Sequence, residues 1–174
     1  MIATLIINGK EFEIDIKEED VKKLKEKPKH TGYERVADNE RYYYNDRFGC
    51  VVSAPETCWV SNDVQYQIAN YYSDETIAED NARADKLMRQ LRRFAAEHNA
   101  MIVDKAKIEI NGAWVIRYIE VISEGAVKGA VEVKRVISRY FGDIYFDSYD
   151  TAMGAVAEYH DELMWYFTEY KESL

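Results

Sequence analysis

Two Asn-Gly pairs constrain the fold of this chain more than any other feature. The first lies in TLIINGKEFEIDI, residues 4–16, and the second in KIEINGAWVIRYIEV, residues 107–121. A type I′ turn requires positive φ at both central residues, so Asn-Gly between apolar runs is the strongest short signal for a β-hairpin. We therefore predict antiparallel hairpins centred on Asn8-Gly9 and on Asn111-Gly112.

Hydrophobic patterns predict most of the remaining elements. RYYYNDRFGCVVSA predicts a hairpin with strands near 41–45 and 50–54, and YQIANYY, residues 66–72, predicts a further strand. A stripe of apolar residues at helical spacing predicts a long helix over 74–98, with Ser73 as its N-cap and Asn99 as its C-cap.

The N- and C-terminal parts of the chain add shorter elements. Residues 17–27 predict a short charged helix that ends before Pro28. Residues 131–140 predict a strand, and GDIYFDS predicts a final strand. This strand leads into a helix that starts near Asp147 or Ser148 and bends near His160-Asp161.

These elements predict an α+β protein in which antiparallel hairpins pack with one long central helix and a C-terminal helical segment. Its 174 residues, 47% of them hydrophobic, suit a single domain over 1–174. Within it we distinguish sub-units over 1–40, 41–99 and 100–174. NYYSDETIAE and IYFDSYDTAM share one pattern, which fits either two related β–helix halves or convergence on common capping signals.

Several functional classes are excluded by the sequence. No apolar run approaches the roughly 18 residues needed to cross a bilayer, and no leader precedes the first hairpin, so we expect a cytoplasmic location. Cys50 and Cys58 match no metal or redox spacing and are expected to be buried or partly buried free thiols. The chain has neither a nucleophile elbow nor a glycine-rich phosphate loop. We predict no catalytic residue, cofactor or metal.

The net charge of −9 is concentrated near the end of the chain, since residues 143–174 contain eight acids and one lysine. Such a chain repels phosphate, so we expect no direct binding to nucleic acid. Four cations of the long helix leave two interpretations open, a basic strip or a solvated helix face. They are Lys86, Arg89, Arg92 and Arg93.

The acidic segment is the predicted partner-binding site. Carboxylates held on a rigid surface can imitate a phosphate backbone and occupy a basic groove, although solubilising charge produces the same composition. At least one of the three adjacent tyrosines 42–44 is expected to be exposed, because strand side chains alternate faces. The predicted site comprises Asp143, Asp147, Asp150, Glu158, Asp161, Glu162, Glu169 and Tyr43.

Three segments resemble a loose group of small phage and prophage proteins from Gram-positive bacteria. They are RYYYNDRFGCVV, IANYYSDETIAEDNARADKLMRQLRRFAAEHN and GDIYFDSYDTAMGAVAEYHDELMWYF, and the likeness covers residues 41–170. The resemblance implies an accessory protein of a mobile element. Some small acidic proteins of that setting are anti-CRISPR or other anti-defence inhibitors. The resemblance carries over no catalytic residue.

We therefore expect a non-enzymatic inhibitor that acts in the cytoplasm of an infected bacterium. Its partner would be a host defence nuclease or another nucleic-acid-binding protein. A Cas9-type nuclease is the first candidate, because it holds its heteroduplex in a positively charged channel. The alternative is an interaction or assembly module of phage development with no inhibitory role. A homodimer is compatible with both, and membrane binding is not expected.

Overall fold

The computed structural model divides the chain into two compact units, Met1–Thr31 and Gly32–Leu174. Side chains are not described for residues 2–15, 105 and 121–128. The residues whose structure is described are 2–7, 10–15, 31–57, 59–100, 103–123 and 126–170.

The described residues form helices and two-stranded antiparallel sheets, so the predicted α+β class is confirmed. In chain order the elements are β1 (Ile2–Ile7), β2 (Lys10–Asp15), β3 (Arg41–Asn45), β4 (Val51–Pro55), α1 (Val60–Gln67), α2 (Glu75–His98), α3 (Lys105–Asn111), β5 (Ala113–Ser123), β6 (Ala126–Val136) and α4 (Tyr149–Thr168). None of the described helices combines the length and the apolarity that a membrane span needs.

In the first unit, β1 and β2 form the hairpin predicted around the first Asn-Gly pair. The register pairs Ile2 with Asp15 and Ile7 with Lys10, which leaves two residues for the connection. Those two residues, 8–9, lie outside the described part of the chain, as does the charged helix predicted over 17–27.

In the second unit, β3 and β4 confirm the predicted hairpin to within one residue. The Asp46 carboxylate closes the turn by accepting from the N–H of Phe48 at 2.8 Å and from the N–H of Cys50 at 2.9 Å. Cys50 is free but exposed, so the expectation of a buried or partly buried thiol is wrong for it. Cys58 lies outside the described residues.

The strand predicted over 66–72 is wrong. Most of the segment continues or follows helix α1, and Tyr72 alone pairs as a strand would, in an antiparallel bridge with Tyr43. The physical reason is the spacing of Val60, Val64 and Ile68, which recur every four residues and so line one side of a helix. A pattern that begins at Tyr66 misses this helical period.

Helix α2 confirms the long predicted helix and its C-cap Asn99. The N-cap is Asp74 rather than the predicted Ser73, because the Asp74 carboxylate accepts from the N–H of Ile77 at 3.1 Å. The Ser73 hydroxyl instead donates to Glu34 at 3.1 Å. The buried side chains of α2 fall at helical spacing. They are Ala78, Ala84, Leu87, Leu91, Phe94 and Ala95.

The hairpin predicted at Asn111-Gly112 is wrong, because this pair ends helix α3. Asp104 caps α3 by accepting from the N–H of Lys107 at 2.9 Å, and Gly112 leaves the helix at φ +74°. Glycine at positive φ terminates helices as readily as it turns hairpins, so the two-residue signal is ambiguous. The hairpin that does form pairs β5 with β6, from Ala113↔Val136 to Ser123↔Ala126, so the strand predicted over 131–140 ends early.

Helix α4 starts where predicted, with the Ser148 hydroxyl accepting from the N–H of Thr151 at 3.0 Å. Tyr159 departs from helical geometry beside the predicted bend. The strand predicted in GDIYFDS reduces to one antiparallel bridge between Phe146 and Trp114. Helix α4 packs on α2 and on the β5–β6 hairpin to form the core, and α2 also contacts the β3–β4 hairpin. The buried members of the core are Leu87, Leu91, Phe94, Ala95, Phe146, Ala152, Ala155, Val156 and Leu163.

Candidate functional site

Four of the predicted acids are exposed on or just after α4, a helix with no lysine or arginine. We call Asp150, Glu158, Asp161 and Glu169 the acidic strip. Glu158 lies eight residues after Asp150, a little over two helical turns, and the kink at Tyr159 separates these two acids from Asp161. The imidazole of His160 lies 3.1 Å from the Asp161 carboxylate and is the one ionisable cation among the side chains of α4. The strip is therefore predominantly acidic, although two cations of α2 act on it: Arg83 interacts electrostatically with Glu169, and Arg93 interacts with Tyr159, the neighbour of Glu158.

Two other predicted acids are held by contacts within the protein. Arg117 donates from both terminal nitrogens to Asp143, each at 2.6 Å, and the Asp143 side chain is only 7% exposed. This contact raises the pKa of the Arg117 guanidinium and fixes it as a cation. Asp147 accepts from the N–H of Ala100 at 2.6 Å and thereby joins the end of α2 to the start of α4. These carboxylates stabilise the fold.

Glu162 pairs with an arginine on the neighbouring helix. It accepts from Nε of Arg83 at 2.8 Å and from Nη2 at 3.2 Å. The same guanidinium lies 3.9 Å from the centre of the Trp165 ring, a cation–π contact. Glu162 raises the pKa of Arg83, chiefly through this hydrogen bond. Arg83 therefore ties α2 to α4 through two contacts, and Glu162 is less available to a partner than the acidic strip.

Tyr43 and the cations of α2 lie away from the acidic strip in sequence. Tyr42 is buried and Tyr43 and Tyr44 are half-buried, so the expectation that one of these tyrosines is exposed is wrong. The backbone of Tyr43 exchanges hydrogen bonds with Tyr72 at 2.8 and 2.9 Å. Arg89 and Arg93 lie 3.9 and 3.8 Å from acids one helical turn away, which favours the solvated helix face over a basic strip.

A buried carboxylate that the sequence did not indicate organises the connection between β4 and α2. Glu56 is 1% exposed and accepts hydrogen bonds from three side chains. Arg35 donates from Nε at 3.0 Å and from Nη2 at 3.2 Å, Asn62 at 3.1 Å, and the Tyr71 hydroxyl at 2.9 Å. We call this group the Glu56 cluster.

The contacts of the Glu56 cluster explain why a charge is tolerated there. Arg35 also lies 2.7 Å from Asp63, and the hydrogen bonds to both acids raise its pKa, so the cation is permanent. Burial is the largest cause that raises the pKa of Tyr71, to about 12, which keeps its hydroxyl a donor. A carboxylate saturated by four donor atoms suits an anchor rather than a catalytic base. No local sequence pattern predicts these contacts, because Arg35, Glu56 and Tyr71 lie far apart along the chain.

An apolar cavity of about 390 Å³ lies between α2, α4, β5 and the segment that precedes α4. Its one ion pair is Arg117–Asp143, whose charges neutralise each other. Phe141, at the edge of the cavity, is fully exposed. The volume lies in the range of about 300–1,000 Å³ typical of small-ligand pockets. Chemically, the cavity suits an uncharged group. It is lined by Leu87, Met88, Leu91, Ile116, Arg117, Phe141, Gly142, Asp143, Ile144, Phe146, Leu163, Tyr166 and Phe167.

A second apolar surface lies on α1 and the residues that flank it, and only the end of this segment overlaps the strand predicted from Tyr66. The side chains of Trp59, Val60, Val64 and Ile68 are exposed, and we call them the α1 stripe. No charged residue belongs to it. The signal that could have revealed it is the four-residue spacing of its aliphatic members.

Neither a metal site nor a similarity to known proteins helps to assign a role to these surfaces. Among the residues with a described structure, no group of three or more His, Cys, Asp or Glu side chains is arranged to hold a metal ion. Comparisons with protein-family models, curated proteins and solved structures find no match for this chain. The phage resemblance and the inhibitor function therefore stay predictions.

Proposed function

We propose that this protein is a non-enzymatic inhibitor that binds a nucleic-acid-binding host protein and occupies its basic groove. The acidic strip carries the proposal, because it sets four exposed carboxylates along a helical segment without lysine or arginine. A Cas9-type nuclease is the first candidate partner, since its channel for the guide–target duplex is positively charged. The resemblance to phage proteins supplies the setting, an infected bacterium.

The acidic strip would provide attraction and selectivity more than binding energy. Each exposed carboxylate is worth only about 0.2–1 kcal/mol against a cationic partner. Together the carboxylates accelerate association and disfavour acidic partners. Tyr149 and Met153, both exposed on α4 near Asp150, are placed to add apolar contacts. Such anchors supply most of the energy at protein interfaces.

The test reverses charge on the acidic strip without disturbing the fold. The variant is Glu158→Lys, Asp161→Lys and Glu169→Lys together. Asp150 is left in place because a cation is unfavourable in the first turn of a helix. Glu162 is left because it holds Arg83. The matched control is Glu79→Lys, Glu97→Lys and Glu120→Lys, three exposed acids outside α4, so that both variants have the same net charge.

Both variants and the native protein are assayed against a purified Cas9-type nuclease loaded with guide RNA. We expect native protein to inhibit DNA cleavage, the strip variant to bind at least about tenfold more weakly, and the control to stay within about twofold. Binding of native protein should also weaken with added salt. Thermal midpoints within about 2 °C of native establish that folding is intact. Equal binding by the two variants, or no inhibition by native protein, would contradict the proposal.

A further inference from the structure

The apolar cavity of about 390 Å³ is built from side chains of α2, α4, β5 and the segment that precedes α4. Its floor is part of the hydrophobic core, so folding itself forms it. At its rim the Phe167 ring stacks on Tyr118, with ring centres 5.6 Å apart, which holds the Phe167 ring in place. The cavity is therefore largely preformed, as small-molecule sites usually are. Its floor consists of Leu87, Leu91, Phe146 and Leu163, none of them more than 4% exposed.

The volume of the cavity suits a small molecule better than a segment of another protein. One turn of helix with its side chains, about 10 Å wide and about 5.4 Å long, occupies roughly 400 Å³. Such a turn would fill the whole cavity and leave no room for the chain to enter and leave it. A compact small molecule, in contrast, would have side chains of four elements around it and would bury most of its surface.

One ion pair supplies the charged part of the lining. Arg117 donates from both terminal nitrogens to Asp143, each at 2.6 Å, and the pair has no net charge. A charged ligand would therefore lose its hydration in the cavity without gaining a counter-ion. A guanidinium has five N–H donors, and Asp143 takes two of those on Arg117, so another can donate to a ligand oxygen. The lining therefore favours an uncharged molecule with an apolar body and one carbonyl or hydroxyl oxygen.

Phe141 lies at the edge of the cavity, in a tight turn over residues 140–143. The N–H of Asp143 donates to the carbonyl of Tyr140 at 3.4 Å, and Gly142, the third residue of the turn, has the positive φ of +84° that a type II turn requires. The Tyr145 hydroxyl accepts from the N–H of Tyr140 at 2.6 Å and donates to its carbonyl at 3.2 Å. Hydrogen bonds thus hold both ends of the turn, while the Phe141 ring is fully exposed beside the cavity.

We propose that the cavity binds an uncharged molecule that has an apolar ring or chain and one carbonyl or hydroxyl oxygen, and that Phe141 packs over the bound molecule. The oxygen would accept from Arg117, and the apolar part would lie on the leucine and phenylalanine floor. Packing of the Phe141 ring on the ligand would remove apolar surface of both from water and so slow dissociation. The proposal does not depend on the inhibitor function, because it uses no carboxylate of the acidic strip.

The test titrates the full chain with phenylnaphthylamine, an uncharged aromatic probe whose fluorescence increases in apolar surroundings. Native protein should bind one probe molecule with a dissociation constant on the order of 10 μM. Competition at neutral pH then measures the preference for charge. Decanol should displace the probe, whereas decanoate and decylammonium, which carry a charge on the same chain, should need at least tenfold higher concentrations. All three competitors are kept below the concentrations at which they aggregate.

Variants locate the probe in the cavity. Met88→Trp and Ile144→Phe enlarge half-buried lining residues on opposite walls and should each abolish probe binding, with a thermal midpoint equal to or above that of native protein. Phe141→Ala should weaken probe binding about fivefold, chiefly through faster dissociation. Phe48→Ala, the same substitution at an exposed position of the β3–β4 turn, is the matched control and should bind the probe as native protein does.

Three results would overturn the ligand site. They are the absence of saturable probe binding by native protein, displacement by decanoate as readily as by decanol, and unchanged probe binding by a filling variant that melts as native protein does. Equal probe dissociation rates for Phe141→Ala and Phe48→Ala would overturn the part assigned to Phe141.

Discussion

Phe146 and Trp114 exchange backbone hydrogen bonds in both directions, each at 2.9 Å, and so join the segment before α4 to the first strand of the β5–β6 hairpin. Tyr72 and Tyr43 do the same between the segment before α2 and the first strand of the β3–β4 hairpin. In both places the bridging aromatic residue lies two positions before the helix N-cap. The second unit therefore uses one plan twice: hairpin, aromatic bridge, capped helix.

The two halves differ in the connection between the hairpin and the bridge. The first half contains α1 there, and the second contains the irregular segment 137–145. Both connections carry exposed apolar side chains, the α1 stripe in one and Ile137, Tyr140 and Phe141 in the other. The shared plan builds the core, and the connections are where the two halves differ and expose apolar side chains.

The Glu56 cluster provides the first stability prediction. Glu56→Ala leaves Asn62 and the Tyr71 hydroxyl without their buried acceptor, whereas Arg35 keeps Asp63, and it should lower the free energy of unfolding by about 1–3 kcal/mol. Glu56→Gln keeps the shape and one acceptor and should cost less. Urea denaturation measures both, with exposed Glu79→Ala as the control, expected within about 0.5 kcal/mol of native. A loss from Glu56→Ala no larger than that of the control would show that the cluster does not anchor the connection.

Substitutions at two glycines with positive φ distinguish the cost of backbone strain from the cost of steric crowding. Gly112, at φ +74°, would place a Cβ 2.7 Å from Nε of Arg135, whereas Gly142, at φ +84°, has open space around it. Gly142→Ala should cost about 1–2 kcal/mol, the price of a left-handed residue with a side chain. Gly112→Ala should cost more, because Arg135 must also release the carbonyl of Asn111. Equal denaturation midpoints for the two variants would refute the crowding at Gly112.

Ala69 offers a stabilising substitution. It follows α1 at φ +55°, a conformation that disfavours residues with a Cβ. Ala69→Gly should raise the free energy of unfolding by about 0.5–1 kcal/mol after the extra entropy of glycine in the unfolded chain is subtracted. Ala96→Gly, on the exposed side of α2, is the matched control and should lower it by about 1 kcal/mol. Destabilisation by both substitutions would argue against the left-handed end of α1.

Alkaline pH tests the burial of two tyrosines. Burial is the main cause that raises the pKa values of Tyr71 and Tyr72 to about 12, above the ordinary value of about 10. The folded state therefore retains protons that the unfolded state releases, and the free energy of unfolding falls as pH rises from about 10 to 12. Urea denaturation at pH 9, 10 and 11 should show a shallower fall for Tyr72→Phe than for native protein. Exposed Tyr140→Phe should leave the slope unchanged, and a native slope in Tyr72→Phe would contradict the assignment.

Elements fixed by short-range signals were predictable from the sequence. The β3–β4 hairpin has a turn carboxylate, α2 has a long apolar stripe, and α4 has a serine cap. The prediction at Asn111-Gly112 was wrong because a glycine at positive φ, here Gly112, can end a helix as well as form a hairpin turn. The strand predicted from Tyr66 missed the apolar period of α1, which begins at Val60, and the inward side of α1 is set by contacts with residues elsewhere in the chain.

The candidate sites were only partly predictable for the same reason. Composition located the acidic segment, but it could not separate exposed Asp161 from Asp143, whose availability depends on Arg117 in another element. The Glu56 cluster joins side chains from 35 to 71, and no periodic pattern encodes such a meeting. Contacts between distant residues decide which charges remain available to a partner.

The aromatic bridges also indicate the order in which parts of the second unit fold. Each sheet in the described residues is a hairpin whose strands are neighbours in the chain, so its pairing closes a short loop at small entropic cost and forms within microseconds. The bridges of Tyr72 to Tyr43 and of Phe146 to Trp114 close much longer loops. Contacts between α2 and α4, such as that of Arg83 with Glu162, close the longest of these chain loops. Nucleation within each half should therefore precede docking of the two helices, so that loss of the Arg83 contact accelerates unfolding and leaves the folding rate nearly unchanged.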